Sequence, residues 1–496
     1  MDRNFPHPLI PVPKKTVTNT PASNLVIDGP VSVITNASGA QQPADYLTAE
    51  LNALDVATTA AAEGTAIALE LTSENYAPNA DGVPGIEAET YRLTVTDTGV
   101  EIVSSSPAGL QHGATTLLQL LIADGATWQI PPVTIEDAPR YAWRGLSFDL
   151  ARSFSPLVEI KEVVDVLVEL KYNVLHLHLC DDQGWRLQIR SHPELTTVSG
   201  QTAVEGGRSG FLTQEEYREL VEYAADRHVL IVPEIDVPGH THALLHALPL
   251  ADVGRTAPDP YTGIDVGFSE LRLDDPTALS VLTDILTEVA ELTPGPWIHV
   301  GGDEPFVIPA ERYVTSVAAV EKLVYDIGKK AIGWNEFVRG AQRTETVIQH
   351  WNPRTELAAL TNAARRGHRV IMSPASHVYL DMQYTADHPY GQDWAGLIEV
   401  ADSYEWEPST NVPDLDADQI MGIEAAIWME KIHTREAVLE MLLPRLAPIA
   451  EVAWSLQPQH PRKLDQVAER LAAQATRWER KGWPFHRSQQ VQWPAQ

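Results

Sequence analysis

Cysteine is all but missing from this chain of 496 residues: Cys180 stands alone, so no internal disulfide can form and nothing demands an oxidising compartment. Positive charge is scarce as well. The 36 Lys and Arg set against 67 Asp and Glu leave a formal net charge of −31. Such a surface repels nucleic-acid phosphates and anionic lipid headgroups, so neither nucleic acid nor membrane is expected as a partner. No run of about 18 apolar residues occurs that would suggest a membrane-spanning helix. The opening residues, Met1-Asp2-Arg3-Asn4-Phe5-Pro6, lack the basic stretch and apolar core of a secretory signal. These absences lead to the expectation of a soluble, cytoplasmic protein, with a secreted form as the alternative. Internal repeats and low-complexity tracts are missing too.

What is present is an ordinary globular composition, 44% hydrophobic, in a chain longer than one core usually fills. Two domains are expected. Residues 1–139 read as a smaller α+β domain, with strand-like segments at 26–34, 66–71 and 91–95 and an amphipathic helix over 109–121. His112 on that helix reads as structural, and 135–140 reads as a linker. From residue 140 to 496 strands and helices alternate, the pattern of a parallel sheet with crossover helices. Candidate strands fall at 144–150, 173–179, 229–235, 298–302, 330–334, 346–351, 369–373 and 419–428. Residues 157–170 carry an amphipathic helical pattern, and Thr213 with Glu216 forms a capping box opening another helix. Eight such units predict a (β/α)8 barrel, an α/β fold whose active site lies at the C-terminal ends of its strands.

The stretch that organises this barrel is Trp297-Ile298-His299-Val300-Gly301-Gly302-Asp303-Glu304-Pro305. A short apolar strand leads to two glycines, which admit a ligand close to the backbone, and then to two adjacent acids. Alone, an Asp-Glu pair is most often a solvated turn. Here the other strand ends are equally reactive. They offer Asp149 and Arg152; His176, His178, Asp181, Asp182 and Trp185; and Glu234, Asp236 and His240. Trp334, Trp351, Tyr379, Asp381, Trp428 and Glu430 complete the set. Carboxylates for hydroxyls and proton transfer, with indoles to stack on an apolar ring face, are what a sugar site needs. A competing reading is a metal site of the kind found in amidohydrolases, because His176-Leu177-His178 presents two imidazoles on one strand face. The predominance of Trp and carboxylates argues against it.

Several stretches resemble the β-N-acetylhexosaminidases of glycoside hydrolase family twenty. They are Arg144-Gly145-Leu146-Ser147-Phe148-Asp149-Leu150-Ala151-Arg152, residues 173–186 around His178-Leu179-Cys180-Asp181-Asp182, and residues 232–241 around Glu234-Ile235-Asp236. Residues 299–305, Gly333-Trp334, and Gly422-Ile423-Glu424-Ala425-Ala426-Ile427-Trp428-Met429-Glu430 continue the match. The resemblance implies an exo-acting, retaining enzyme that removes terminal GlcNAc or GalNAc from an oligosaccharide or glycoconjugate and needs no metal or organic cofactor. It makes Glu304 the general acid and base. It has Asp303 orient the substrate's own 2-acetamido group, whose oxygen attacks C1 to form an oxazolinium ion. Neighbouring residues cannot easily flank a sugar from opposite faces, which agrees with an internal nucleophile. Tyr379 would donate to the acetamide oxygen. Trp334, Trp351, Trp428 and Trp394 would wall the pocket, while Arg152, Asp381 and Glu430 would hold hydroxyls. Asp181 and His240 would orient the acid–base group, Glu234 would be a structural acid of the barrel interior, and His176 and His178 would be core or supporting histidines. Two departures stand out: Ser153 follows Arg152 where the family usually has His, and Cys180 replaces a polar residue. A carbohydrate-binding barrel without turnover is the alternative from another class, opposed by the intact Asp303-Glu304 pair.

Overall fold

The computed structural model describes residues 8–18, 23–61, 64–73, 81–125, 127–248, 250 and 257–495. Eight parallel strands close into a barrel: Trp143–Asp149 (β1), Val174–His178 (β2), Leu230–Glu234 (β3), Trp297–His299 (β4), Lys330–Trp334 (β5), Val347–His350 (β6), Val370–Met372 (β7) and Ile420–Ile427 (β8). All eight are almost wholly buried, which is why each reads as a near-continuous apolar run and not as an alternation. Helices such as Leu157–Glu169 and Pro276–Leu292 lay their apolar stripes on the outside of this sheet. The Thr213 box is formed as the sequence indicates: its hydroxyl accepts from the Glu216 amide at 3.1 Å, and the Glu216 carboxylate accepts from the Thr213 amide at 2.8 Å.

Ahead of the barrel, a seven-stranded sheet and a three-stranded one pack against the helices Gln41–Ala53 and Pro107–Leu120. Two readings are corrected here. The segment 26–34 is not one strand. Leu25–Ile27 and Val31–Thr35 lie in different sheets, because Asp28-Gly29-Pro30 turns the chain and Pro30 has no N–H to give a ladder. Nor is 135–140 simply a linker, since Val133–Asp137 is a strand paired with both Lys15–Thr18 and Tyr91–Val95.

The two halves are joined through buried ion pairs. Arg144, at the base of β1, pairs with Glu89, which also meets His112 Nε2 at 2.9 Å, so His112 has a structural contact. Lys171 Nζ meets Asp137 at 3.1 Å, and the Trp454 indole N–H donates to the same carboxylate at 3.0 Å. Buried charges tolerate such a position only when paired, so these contacts fix how the first domain seats on the bottom of the barrel.

Candidate active site

Beyond β4 the chain leaves the sheet through three residues of positive φ: Gly301 at 61°, Gly302 at 91° and Glu304 at 46°. The first cannot be anything but glycine, since a Cβ there would lie 1.8 Å from Asp236 Oδ1. The Gly302 amide donates to that same oxygen at 2.9 Å, and the Tyr313 hydroxyl donates to the Gly302 carbonyl at 2.5 Å. The turn is therefore held from both sides. Glu304 occupies a backbone conformation unfavourable for a residue with a Cβ, the kind of strain that survives where the surroundings over-determine it. Its effect is to turn Asp303 and Glu304 together into a cavity of about 170 Å³ at the C-terminal ends of the strands.

The two acids meet one imidazole. His240 Nε2 lies 3.5 Å from Glu304 Oε2 and 3.8 Å from Asp303 Oδ2. Its Nδ1 faces Asp181 Oδ1 at 3.1 Å, and Asp181 in turn takes Arg152 Nη2 at 2.7 Å and His178 Nε2 at 3.0 Å. Burial alone would strip these groups of charge, but the neighbours prevail. Arg152 and His240 outweigh burial and hold Asp181 well below the usual carboxylate range. In the same way Asp181 and Asp303 outweigh burial and keep His240 protonated, well above an ordinary imidazole. Beside Asp303, burial and then that neighbouring charge push Asp236 well above the usual range, so Asp236 keeps its proton. Asp303 is itself raised, by burial and, against the opposing pull of His240, by Glu304.

On the opposite wall stand aromatic rings. The Trp351 and Tyr379 rings stack with centroids 6.3 Å apart, Trp394 meets both edge-on, and Tyr379 meets Trp428 at 6.0 Å. Burial, then Asp303 and Asp381, raises the Tyr379 phenol well above its ordinary value, so it remains an O–H donor. Arg152 lies over the Trp428 ring at 5.2 Å and faces Glu430 Oε1 at 3.9 Å. Burial, then Glu430, pushes Asp381 well above the carboxylate range, and among the described residues neither of its oxygens has a hydrogen-bond partner. One oxygen each of Glu430 and Asp303 is likewise without a partner. Buried polar atoms left open in this way are costly unless something else satisfies them.

Nine of the twelve residues singled out from the sequence line this cavity: Arg152, Asp181, Asp303, Glu304, Trp351, Tyr379, Trp394, Trp428 and Glu430. Three do not. His240 and Asp381 are buried just behind it. Trp334 is buried outside the lining: its indole N–H turns into the barrel and donates to Glu234 Oε1 at 2.9 Å, while its ring lies 5.9 Å from that of Trp428, which does line the cavity. Glu234 also meets His299 at 2.7 Å, His178 at 2.5 Å and His176 at 3.1 Å, and it lies in the barrel interior. His178 lines the cavity as well as holding Asp181. Both ring nitrogens of His176 face carboxylates, Glu234 at 3.1 Å and Glu424 at 2.9 Å, and against burial these push its pKa up to about 9. Ser153 is buried and accepts the Arg208 amide at 3.1 Å, while Cys180 is buried with its thiol pushed up by burial and by Asp236.

Sequence reasoning passed over four participants. Glu336 accepts the Trp351 indole N–H at 3.2 Å and is pushed up to about 7 by burial and by Asp303. Its position two residues after Trp334 was a usable signal. Gln392, Ile264 and Val266 also line the cavity, from loops that carry no periodic pattern.

The model of the catalytic domain of glycosyl hydrolase family 20 matches residues 141–311 and 307–457, and that of the family's domain 2 matches residues 6–138. A beta-N-acetylhexosaminidase of Cellulomonas fimi is 43% identical over 408 residues, 82% of either chain. Among solved structures, Streptomyces plicatus N-acetyl-beta-hexosaminidase in complex with Thio-NAglucal superposes with a TM-score of 0.89 at 38% identity over 98% of both chains. A mutant of that enzyme in complex with the product GlcNAc matches with the same score and identity.

Proposed function

Because the chain belongs to glycosyl hydrolase family 20 and is a β-N-acetylhexosaminidase, we propose that it releases terminal GlcNAc, and GalNAc, from the non-reducing ends of oligosaccharides by substrate-assisted catalysis with retention. The observation that carries this reading is the placement of Asp303 and Glu304 around the single imidazole of His240. Both carboxylates stand on one side of the cavity. An acid and a nucleophile that attack C1 from opposite faces are not easily supplied by two adjacent residues of one turn, and the rings of Tyr379, Trp351 and Trp428 cluster in the same cavity. The nucleophile is then the substrate's own acetamide oxygen, forming an oxazolinium ion.

Each group has a task in that scheme. Glu304 protonates the leaving oxygen and afterwards activates water. Asp303 accepts the acetamide N–H and balances the positive charge that develops beside it, while the Tyr379 phenol donates to the acetamide oxygen. The aromatic walls press the acetamide against C1, which gives the internal attack its high effective molarity. Arg152, Asp381 and Glu430 take the hydroxyls, supplying partners for the carboxylate oxygens that stand open. Beneath them the barrel is closed by the packed Glu234 interior, so a glycan enters by its end, which supports exo action.

The test is hydrolysis of an aryl β-GlcNAc glycoside followed by ¹H NMR of the nascent sugar, with a thiazoline mimic of the oxazoline as inhibitor. Initial release of the β anomer and tight competitive inhibition are expected. Initial release of the α anomer, or equal turnover of a plain β-glucoside, would overturn the mechanism.

A further inference from the structure

Away from the cavity, the loop 379–392 leaves the site at Tyr379 and Asp381 and returns at Gln392. Its base is closed by the Gln392 amide donating to the Asp381 carbonyl at 2.9 Å and the Gln383 amide donating to the Gln392 carbonyl at 2.7 Å. His388 sits near its tip, with a side chain only 3% exposed. The shorter of the two contacts at His388 Nδ1 is to the Tyr390 carbonyl, at 3.1 Å, against 3.4 Å to the Tyr390 amide. A carbonyl can only accept, so the tautomer that satisfies the shorter contact has its hydrogen on Nδ1 and its lone pair on Nε2. That Nε2 has no hydrogen-bond partner. What it faces is Glu440 Oε1 at 3.6 Å, and His486 Nδ1 faces the same oxygen at 4.0 Å. A nitrogen from each of two imidazoles and a carboxylate oxygen thus converge on one point.

We propose that His388, Glu440 and His486 bind one divalent transition-metal ion, zinc being the probe, and that this ion fastens the loop carrying Tyr379 and Asp381 to the last segment of the chain. The donor set suits a borderline cation: it has no thiolate for a soft ion and too few oxygens for calcium or magnesium. The donor atoms lie within 4.8 Å of one another. Tetrahedral zinc with bonds of about 2.0–2.1 Å needs them roughly 3.3–3.4 Å apart, so side-chain shifts on the order of 1 Å close the site around a water as fourth ligand. The backbone carbonyl on His388 Nδ1 is the outer partner that metal-bound imidazoles habitually have. His486 is steadied by stacking on Tyr384 at 3.9 Å and by its amide, which donates to the Leu443 carbonyl at 3.0 Å. Glu440 is 31% and His486 20% exposed, which gives the ion a way in.

The experiment is calorimetric titration of zinc into the metal-stripped full-length protein, repeated with cobalt while following visible absorption. Wild type should take up one saturable equivalent and show the intense cobalt bands of a four- or five-coordinate site. Zinc at about 100 times its Kd should raise Tm by roughly 2–3 °C. Glu440→Gln and His486→Ala, both at partly exposed positions, should weaken binding on the order of 100-fold and abolish the Tm shift. Asp303→Asn should keep both effects, which separates this site from the catalytic acids. Uptake unchanged in the Glu440 and His486 variants, or no saturable equivalent in wild type, would overturn the proposal and leave a proton shared between His388 and Glu440 as the explanation.

Discussion

Two sets of carboxylates occupy the same barrel a few residues apart, and they are treated in opposite ways. In the interior, Glu234 is surrounded by His176, His178, His299 and the Trp334 indole. Glu424 takes His176, Gln349 and the Trp143 indole. Both acids are held below the usual range, because imidazoles outweigh their burial. At the mouth, Asp381, Glu430 and Asp303 carry oxygens with no hydrogen-bond partner among the described residues, and all three are raised, although Asp303 keeps 15% of its side chain exposed where Glu234 keeps none. The same kinds of side chain thus do different work. The satisfied set stabilises the barrel, and the unsatisfied set is kept at a cost that a bound sugar offsets.

That contrast can be broken most forcefully at the acids of the β4 turn. Glu304→Gln and Asp303→Asn should each lower kcat on an aryl β-GlcNAc glycoside by about 10²–10⁴-fold, with melting curves close to wild type. A Tm collapse in either would mean the mouth acids are structural. The inverse variant, Glu234→Ala, should destabilise by roughly 3–5 kcal/mol in denaturant titrations, because it leaves buried imidazolium groups unpaired. Stability equal to wild type would erase the distinction between the two sets.

Smaller effects sharpen it. Asp381→Asn should leave Tm equal or higher while lowering kcat/KM by about 10–100-fold, the cost of leaving a buried polar group of the bound sugar mismatched. The pH dependence should fall in two separate windows, with stability declining as pH rises in each. Glu336, raised to about 7 in the folded chain, favours the protonated form. The unfolded chain ionises first, so the carboxyl costs stability increasingly as pH climbs from its ordinary value of 4.5 to about 7. Glu336→Gln should therefore match wild type near the lower end and melt higher above about pH 7. His176, raised to about 9, acts in the same direction in a higher window: its contribution is complete below 6.5 and is lost as pH rises through about 9. Thermal melts of wild type across that window should show the loss, and Glu424→Gln should flatten it.

Much of this architecture could be read from the order of residues. Eight apolar runs, each ending in polar or aromatic groups, predicted a barrel and the end of it that holds the site; six of the strands fall within those segments, and β1 and β4 overlap theirs, each starting one residue earlier. The motifs around Asp303-Glu304 and Trp428 to Glu430 pointed to the same mouth. Reading failed where a side chain had a choice of partner. Trp334 ends its strand as an expected wall would, yet its N–H goes inward because Glu234 lies there to receive it. Residues 135–140 read as a linker because Glu136 and Asp137 are polar, whereas Asp137 ends the strand 133–137 and is buried against Lys171 and Trp454 from the other domain.

The sequence by itself determined periodicity, the glycines that permit the turn after β4, and the chemical character of the strand ends, because these depend on neighbours in the chain. Only the tertiary structure decided which acids are charged and which are open. Protonation depends on the imidazoles, guanidinium groups and apolar walls that surround each carboxyl, and those arrive from strands hundreds of residues apart.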